Sequence, residues 1–390
     1  MHLLRRACHR LGRIALTALA ALSALACTLA HGAPDGAAAR FYEDALARYE
    51  RRDIGGVIVQ LKNALQIDKN LLPVQVLLGK ALLRNGDAVP AEVAFTEALR
   101  MGVNRAEVVL PLTQAYLAQG KQKLVVDMPL FMPAGLPAAV QVQLLLLRSG
   151  AYADLGDVRS AVRAIDEARG IDSTLPEVWL AEVPVRIRTR QFLEARAAVD
   201  KALALAPQSA EVIYQQGAIN HVLGDLRAAL AAYDRALAAD PAHVEARVAR
   251  AGLYIDFDQP GDAAKDVAEL RRLSPREPRG AYLKALLAER DNDKATGRSS
   301  LNEVTALIDP VPAEFIRYRP QLLMLNGLAH FGLNEREKAK PYFELLQKLQ
   351  SNSAASKLLA QIYLSEGNVA RAIELLDSYL KTQPADSQAM

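Results

Sequence analysis

The 390-residue chain has few aromatic side chains and only two cysteines. Aromatic residues make up 5% of the sequence although hydrophobic residues total 51%, so alanine and leucine dominate, and these residues favour closely packed helices over sheets. Both cysteines, Cys8 and Cys27, lie at the start of the chain, and no disulfide framework is possible in its body. The sequence therefore predicts an all-helical protein without cross-links.

Neither sign of charge is in large excess. The formal net charge is +3, but the first 26 residues hold four arginines and no acid, so the remainder of the chain carries −1. We find no basic patch interleaved with aromatic side chains, which is the usual pattern of a nucleic-acid binder. Nucleic acid is therefore not expected as a partner.

Sequence patterns of catalytic and metal sites are also missing. The chain has no glycine-rich phosphate loop and no GxSxG elbow, and its mature part has no cysteine to act as a nucleophile. No histidine beyond the leader has a metal-binding partner at a useful spacing; His243 and Glu245 lie on either side of a repeat boundary. We expect no catalytic residue, no metal and no cofactor, and hence a protein that is not an enzyme.

Residues 1–33 have the pattern of a secretory signal peptide. A basic start is followed by an apolar run from Ile14 to Ala26, which is too short for a membrane-spanning helix. Two processing routes are open. Residues 24–27 resemble a bacterial lipobox, which would put a lipid anchor on Cys27, whereas ordinary cleavage after Ala26 or Gly32 would leave no anchor. Either route predicts export to the periplasm.

The stretch from Ala210 to His243 sets the pattern for the rest of the chain. Gly217 allows close approach of two helices, Gly224 and Asp225 end one helix and cap the next, and an apolar stripe containing Tyr233 follows. This spacing resembles the tetratricopeptide repeat, a helix-turn-helix unit of about 34 residues whose copies stack into a right-handed superhelical solenoid.

About ten such repeats are predicted. The pattern divides the chain into repeats 1–3, a proline-rich insertion, repeats 4–8, a linker, repeats 9–10 and the start of a truncated further repeat, which are residues 38–127, 128–141, 142–309, 310–319, 320–386 and 387–390 respectively.

Positions five, nine and twelve of each first helix are expected to face the groove of the solenoid, where a partner would bind. The candidate partner-binding residues in the central repeats are Leu180, Ile187, Tyr214, His221, Val248, Ile255, Tyr282 and Glu289. Their small and apolar character suits an extended peptide or a partner helix. The two tyrosines have an alternative role, which is to fill gaps between repeats.

The opening stretch ARFYEDALARYERRDIGGVIVQLKNALQIDKN, together with residues 77–82 and 358–364, is similar to the tetratricopeptide lipoproteins of PEP-CTERM/exosortase systems. These proteins belong to Gram-negative bacteria that make exopolysaccharide, and the resemblance extends over residues 38–386. It implies a lipid-anchored scaffold, possessing no enzymatic activity, that binds envelope proteins in exopolysaccharide production or protein sorting. Direct binding of polysaccharide in the groove is the alternative.

Overall fold

The computed structural model describes residues 36–349 and 354–381, and every regular element within these ranges is helical. The predicted all-α fold is therefore confirmed. The signal peptide, Cys27 and the start of the further repeat at residues 387–390 lie outside the described residues. Within the described ranges, no helix has both the length and the apolar character needed to cross a membrane.

The chain forms two compact units, Met1–Leu112 and Thr113–Met390. In the first unit the helices follow one another in antiparallel pairs, with α1 packed on α2, α2 on α3 and α3 on α4. These helices are α1 (Gly36–Glu50), α2 (Ile54–Ile67), α3 (Leu72–Asn85) and α4 (Ala88–Arg100). Helix α5 (Arg105–Ala118) contains the boundary between the units.

The second unit continues the same arrangement of paired helices. Its elements are α6 (Gln122–Asp127), a 3₁₀ turn (Pro129–Phe131), α7 (Ala138–Asp154), α8 (Val158–Ile171), α9 (Pro176–Leu180), α10 (Glu182–Arg188), α11 (Phe192–Leu205), α12 (Ala210–Val222), α13 (Leu226–Ala239), α14 (Val244–Asp256), α15 (Pro260–Leu273), α16 (Pro278–Arg290), α17 (Lys294–Ile308), α18 (Ala313–Ile316), α19 (Pro320–Gly332), α20 (Arg336–Leu349), α21 (Ala355–Ser365) and α22 (Val369–Leu380). From α10 onward each long helix packs on the next in the chain, except that α17 packs on α19.

The second helix of many pairs begins at an aspartate. Asp157, Asp225 and Asp293 each accept a hydrogen bond from the backbone N–H three residues later, at 3.0, 3.1 and 3.0 Å. This bond satisfies one of the free N–H groups in the first turn of a helix. Asp157 and Asp225 follow Gly156 and Gly224, each with a left-handed φ of 83° that suits glycine. In these two turns a Gly-Asp pair ends one helix and starts the next, whereas Asn292 takes the place of the glycine before Asp293.

Glycines in three first helices face an aromatic ring on the paired second helix, sixteen residues later. The pairs are Gly79 with Phe95, Gly217 with Tyr233, and Gly327 with Phe343. A Cβ atom on Gly217 would lie 2.5 Å from the Tyr233 ring, closer than side-chain contacts allow. At the same interval, Ala251 and Val267 share one core cluster, so a small aliphatic partner permits a Cβ. The helix spacing thus depends on matched side-chain volumes.

We expect Gly217→Leu to lower the free energy of unfolding by ~1–3 kcal/mol, because the new side chain overlaps the Tyr233 ring. Urea denaturation followed by circular dichroism measures this loss. Gly170→Leu is the control, since a Cβ there meets nothing within 4 Å. In a Tyr233→Ala background, Gly217→Leu should cost less stability than it does in the wild type, because the ring that the leucine overlaps is absent. Equal stability of Gly217→Leu and the wild type would contradict the proposed contact.

The irregular proline-rich segment ends earlier than the predicted insertion. No α-helix lies between Asp127 and Ala138, but α7 begins at Ala138, inside the predicted insertion of 128–141. Pro137 immediately precedes α7, where a proline without an N–H group is tolerated and its fixed φ, here −57°, suits the start of a helix. The 3₁₀ turn inserts Phe131, which is fully buried and packs edge-on against Tyr116 with ring centroids 5.0 Å apart. The irregular segment is thus part of the core.

Candidate functional site

A cleft in the second unit is bounded by helices α16, α17 and α19. Its volume is about 640 Å³. Tyr282, Leu286 and Glu289, which occupy positions five, nine and twelve of the repeat that begins at Pro278, all line it. The remaining lining residues are Ala285, Asn292, Asp293, Lys294, Gly297, Arg298, Leu301, Leu328 and Gly332. Two of the predicted site residues, Tyr282 and Glu289, are therefore brought together.

The floor of this cleft is apolar and has room for a side chain. Tyr282, Leu286, Leu301 and Leu328 are half-buried there. Gly297 is a helical residue of α17, and a Cβ added to it would approach no atom more closely than 3.9 Å. The helical backbone at residue 297 does not require glycine, and the absence of a side chain there keeps the cleft wide.

The rim of the cleft carries charges of both signs. Glu289 is exposed at the end of α16, while Lys294 and Arg298 are exposed one turn apart on α17. Among the described residues none of these three forms an ion pair, so all are open to a partner's charges. Burial raises the pKa of Tyr282, and the charge of Glu289 adds to this effect, so the phenol stays a hydrogen-bond donor at neutral pH.

Four other predicted site residues lie beside core clusters. Leu180 and Ile187 are half-buried against the cluster that contains Val183 and Ile219. Val248 and Ile255 pack in the same way against the cluster that contains Ala251 and Val267. These side chains therefore contribute to packing, and any role in binding a partner stays a prediction.

Tyr214 occupies a packed position between neighbouring repeats. Its ring stacks on Tyr233 with centroids 5.9 Å apart and lies 5.2 Å from the ring of His243. Burial, with smaller contributions from nearby carboxylates, raises the pKa of Tyr214 to about 12. This geometry favours the gap-filling role for Tyr214. His221, by contrast, is exposed at the last turn of α12.

Charged side chains join the first turns of successive repeats, which sequence analysis did not anticipate. His243 accepts a hydrogen bond from the N–H of Ala246 through Nδ1, and its Nε2 lies 3.2 Å from the carboxylate of Glu211. In the next repeat, Arg279 donates to both carboxylate oxygens of Glu245 at 2.6 and 2.7 Å. The second residue of the repeat is glutamate at 177, 211 and 245 but arginine at 279, and this exception was the available signal.

We expect the stability contributed by the Glu245–Arg279 pair to be lost in acid. Hydrogen bonds from Arg279 lower the pKa of Glu245, so the contribution is present above the unfolded pKa of about 4.3 and disappears as the pH falls through the lower folded value. Arg279→Gln should therefore show a smaller drop in Tm between pH 7 and pH 3 than the wild type. Arg276→Gln, at an exposed arginine nearby, should keep the full drop. Equal drops in all three proteins would contradict this role.

None of the described side chains forms a group of three or more histidine, cysteine, aspartate or glutamate residues able to hold a metal ion. His330 is buried and lies between two carboxylates, with Nε2 3.0 Å from Asp309 and Nδ1 2.8 Å from Glu335. It also stacks on Tyr342 at 5.9 Å, so its neighbours account for both ring nitrogens and the ring face.

Comparisons with solved structures find several helical repeat proteins. The chain is similar to a chain of the APC/C hetero-tetramer Cut9-Hcn1 (12% identity, covering 90% of this chain and 95% of that chain, TM-score 0.43). It is also similar to the yeast Tom70 (15% identity, 88% and 91% coverage, TM-score 0.38). A third is YrrB, described as a TPR protein with an unusual peptide-binding site (16% identity, 44% and 89% coverage, TM-score 0.33). No curated protein sequence matches the chain.

Sequence models of the tetratricopeptide repeat match two parts of the chain. One model matches residues 180–244 and 222–257, and another matches residues 331–389. The first includes the repeat from Ala210 to His243, in which Gly217 packs on Tyr233 and Asp225 caps the second helix. The predicted repeat family is confirmed for these segments, and the chain therefore carries tetratricopeptide repeats.

Proposed function

We propose that this protein is a scaffold that holds protein partners in the cell envelope, with the cleft between α16, α17 and α19 as its main binding site. One observation carries the proposal: all three positions of α16 expected to face a partner line a single cleft with an apolar floor and an open charged rim. Grooves of this composition bind extended peptides or amphipathic helices, whose apolar side chains enter pockets while backbone and charged groups contact the rim.

The chemistry of the cleft favours a peptide over a sugar. Sugar-binding sites stack aromatic rings against the carbohydrate, and Tyr282 is the one aromatic residue among those that line the cleft. Leucines 286, 301 and 328 instead offer aliphatic surface to a leucine, methionine or aromatic side chain of a peptide. A polypeptide partner is therefore proposed, and polysaccharide binding is an outcome that the experiment below can reveal.

The proposed location rests on the amino terminus of the sequence. Residues 1–33 have the three-part pattern of a secretory signal, and Cys27 stands where a lipobox would place the lipidated residue. Together with the similarity to tetratricopeptide lipoproteins of PEP-CTERM/exosortase systems, this supports a periplasmic, outer-membrane-anchored role in exopolysaccharide production or protein sorting. Incorporation of labelled palmitate should be lost in Cys27→Ser, and no incorporation in the wild type would remove the anchor from the proposal.

Filling the cleft tests the binding site. In Gly297→Leu the new side chain starts from a Cβ that meets only ordinary contacts and projects into the cleft, so folding should be preserved. Leucine also favours helix over glycine by up to about 1 kcal/mol, so Tm should not fall. We expect cross-linking to envelope proteins of the source bacterium to drop sharply for this variant.

Gly261→Leu is the matched control, because Gly261 is exposed on α15 with nothing within 4 Å of its added Cβ. It should capture the same envelope proteins as the wild type. Undiminished capture by Gly297→Leu would exclude the cleft as the binding site. If the wild type bound purified exopolysaccharide and Gly297→Leu did not, the partner in the cleft would be a polysaccharide and not a protein.

A further inference from the structure

The predicted linker makes a contact with the third repeat, almost 200 residues earlier in the chain. Residues 314–319, here called the strap, lie against the turn that follows α5. Arg317 donates a hydrogen bond from Nη2 to the carbonyl oxygen of Gly120 at 2.9 Å. The carbonyl oxygen of Glu314 occupies the space that a Cβ on Gly120 would need. Gly120 is buried and has a φ of 69°, so glycine suits this turn for two reasons.

The strap lies beside positions that first helices are expected to offer to partners. Gln114 and Leu117 are positions nine and twelve of the repeat that begins at Ala106. Together with Ala118, Gln122 and Asp154, they line a cleft of about 240 Å³ whose other wall is Phe315, Tyr318 and Arg319. The strap therefore lies where a bound peptide would lie.

The two sides of this contact have complementary chemistry. The strap brings two aromatic rings and two guanidinium groups, whereas the repeats supply a carbonyl oxygen and the Asp154 carboxylate. Asp154 accepts a hydrogen bond from Gln122 Nε2 at 3.0 Å and lies 3.6 Å from Arg188. Burial raises the pKa of Asp154, and the charges of Arg188 and Arg319 oppose this rise. The Oε1 atom of Gln122 is buried and has no hydrogen-bond partner among the described residues, so the site retains a free acceptor.

The strap is attached to its own repeat by a different residue. Ile316 is 1% exposed and belongs to the core cluster that includes Leu323 and Val304. Its neighbours Phe315 and Tyr318 are half-buried, and Arg317 and Arg319 are exposed. The side chains that contact the third repeat can therefore be replaced without disturbing the core around Ile316.

We propose that the strap is a built-in occupant of a second peptide site, formed by Gln114, Leu117, Gly120, Gln122 and Asp154, and that this site recognises peptides with an aromatic and basic pattern like that of residues 315–319. The proposal rests on the proposed function in one respect, namely that first-helix positions hold peptides. A covalently attached occupant competes at an effective concentration in the millimolar range, so an external peptide binds well only when the strap is displaced.

The probe is a fluorescein-labelled peptide with blocked ends and the sequence of residues 314–319, Glu-Phe-Ile-Arg-Tyr-Arg. Arg317→Ala combined with Tyr318→Ala weakens the strap in the full chain. We expect this variant to bind the peptide at least about tenfold more tightly than the wild type, because its own occupant competes less. Adding Asp154→Asn should return the affinity to the wild-type level or below.

Arg298→Ala combined with Tyr282→Ala is the matched control, since it removes the same two residue types from the other cleft. It should bind the peptide no better than the wild type. Equal affinity of the wild type and the strap variant, or binding unaffected by Asp154→Asn, would overturn the proposal. Neither outcome would change the result of the capture experiment with Gly297→Leu, which tests the other cleft.

Hydrogen exchange gives a second test that needs no change in the strap. Asp154→Asn should speed amide exchange in residues 314–319 relative to the wild type, because the carboxylate that lines the same cleft as Arg319 is lost. Unchanged exchange there would show that the site does not hold the strap and would likewise overturn the proposal.

Discussion

Asp266→Ala is expected to lower the free energy of unfolding by ~3–5 kcal/mol, the range found when one partner of a buried ion pair is removed. Asp266 is 2% exposed on α15, and its carboxylate faces two arginines of α14. Arg247 Nη1 donates to Oδ1 at 2.8 Å, while Arg250 donates to Oδ2 at 2.7 Å and to Oδ1 at 2.6 Å.

The size of this effect follows from what the substitution leaves behind. Arg247 is 8% exposed, and its remaining hydrogen bond goes to the carbonyl oxygen of Pro241. Without Asp266, two neighbouring guanidinium groups would repel each other in a site from which water is largely excluded. Helix α14, which carries both arginines, and helix α15 would separate or admit water.

Urea denaturation measures the loss, and Asp234→Ala is its control. Asp234 accepts a hydrogen bond from Arg250 at 2.8 Å, but its side chain is 49% exposed, so its removal should change the free energy of unfolding by only ~0–1 kcal/mol. If both variants lost the same small amount, the buried network would contribute no more than a surface ion pair.

Arg148→Met is the second substitution with a large expected effect. Arg148 is 5% exposed in α7, and its guanidinium donates to the carbonyl oxygens of Val125 at 2.7 Å, Phe131 at 3.1 Å and Val126 at 3.3 Å. It also donates to the hydroxyl of Tyr152 at 3.0 Å. The carbonyls at the end of α6 and in the 3₁₀ turn point toward it and offset its charge.

Methionine fills a similar volume but donates no hydrogen bond. Three buried carbonyl groups would then lack a donor, at ~1–3 kcal/mol each, so we expect a loss of at least ~3 kcal/mol. Amide exchange in residues 122–136 should rise together with the fall in stability, because this segment loses its main connection to α7. Arg163→Met, at an exposed arginine of α8, should change neither quantity. Slow exchange in the Arg148 variant would contradict this connection.

Local features of the fold were predictable from the sequence. Gly224 and Asp225 mark the end of one helix and the start of the next, because a left-handed turn and a side-chain cap depend on adjacent residues. The close helix approach at Gly217 was also predicted, but Tyr233 was predicted only as part of an apolar stripe, and the structure shows that its ring is what Gly217 meets. The prolines at 129, 133 and 137 also indicated an irregular segment, but the hydrogen bonds from Arg148 depend on contacts between two repeats.

The candidate sites were predictable only in part. The repeat register gives the positions of Tyr282, Leu286 and Glu289 on one helix, but Leu301 and Leu328 join them through the packing of α17 and α19. The strap was not predictable at all, because Arg317 and Gly120 are 197 residues apart and no local periodicity relates them. Whether Tyr282 and Glu289 bind a partner stays a prediction.

The surroundings of Arg148 have a consequence for how the protein responds to acid. Its guanidinium is held by carbonyl and hydroxyl oxygens, none of which gains a proton in the range where carboxylates are neutralised. Glu245, whose pKa is lowered by the hydrogen bonds from Arg279, holds that arginine only while it is ionised. Acidification should therefore loosen the repeats around residues 245–279 first and leave the neighbourhood of α6 and α7 intact, so that unfolding would proceed in stages along the chain.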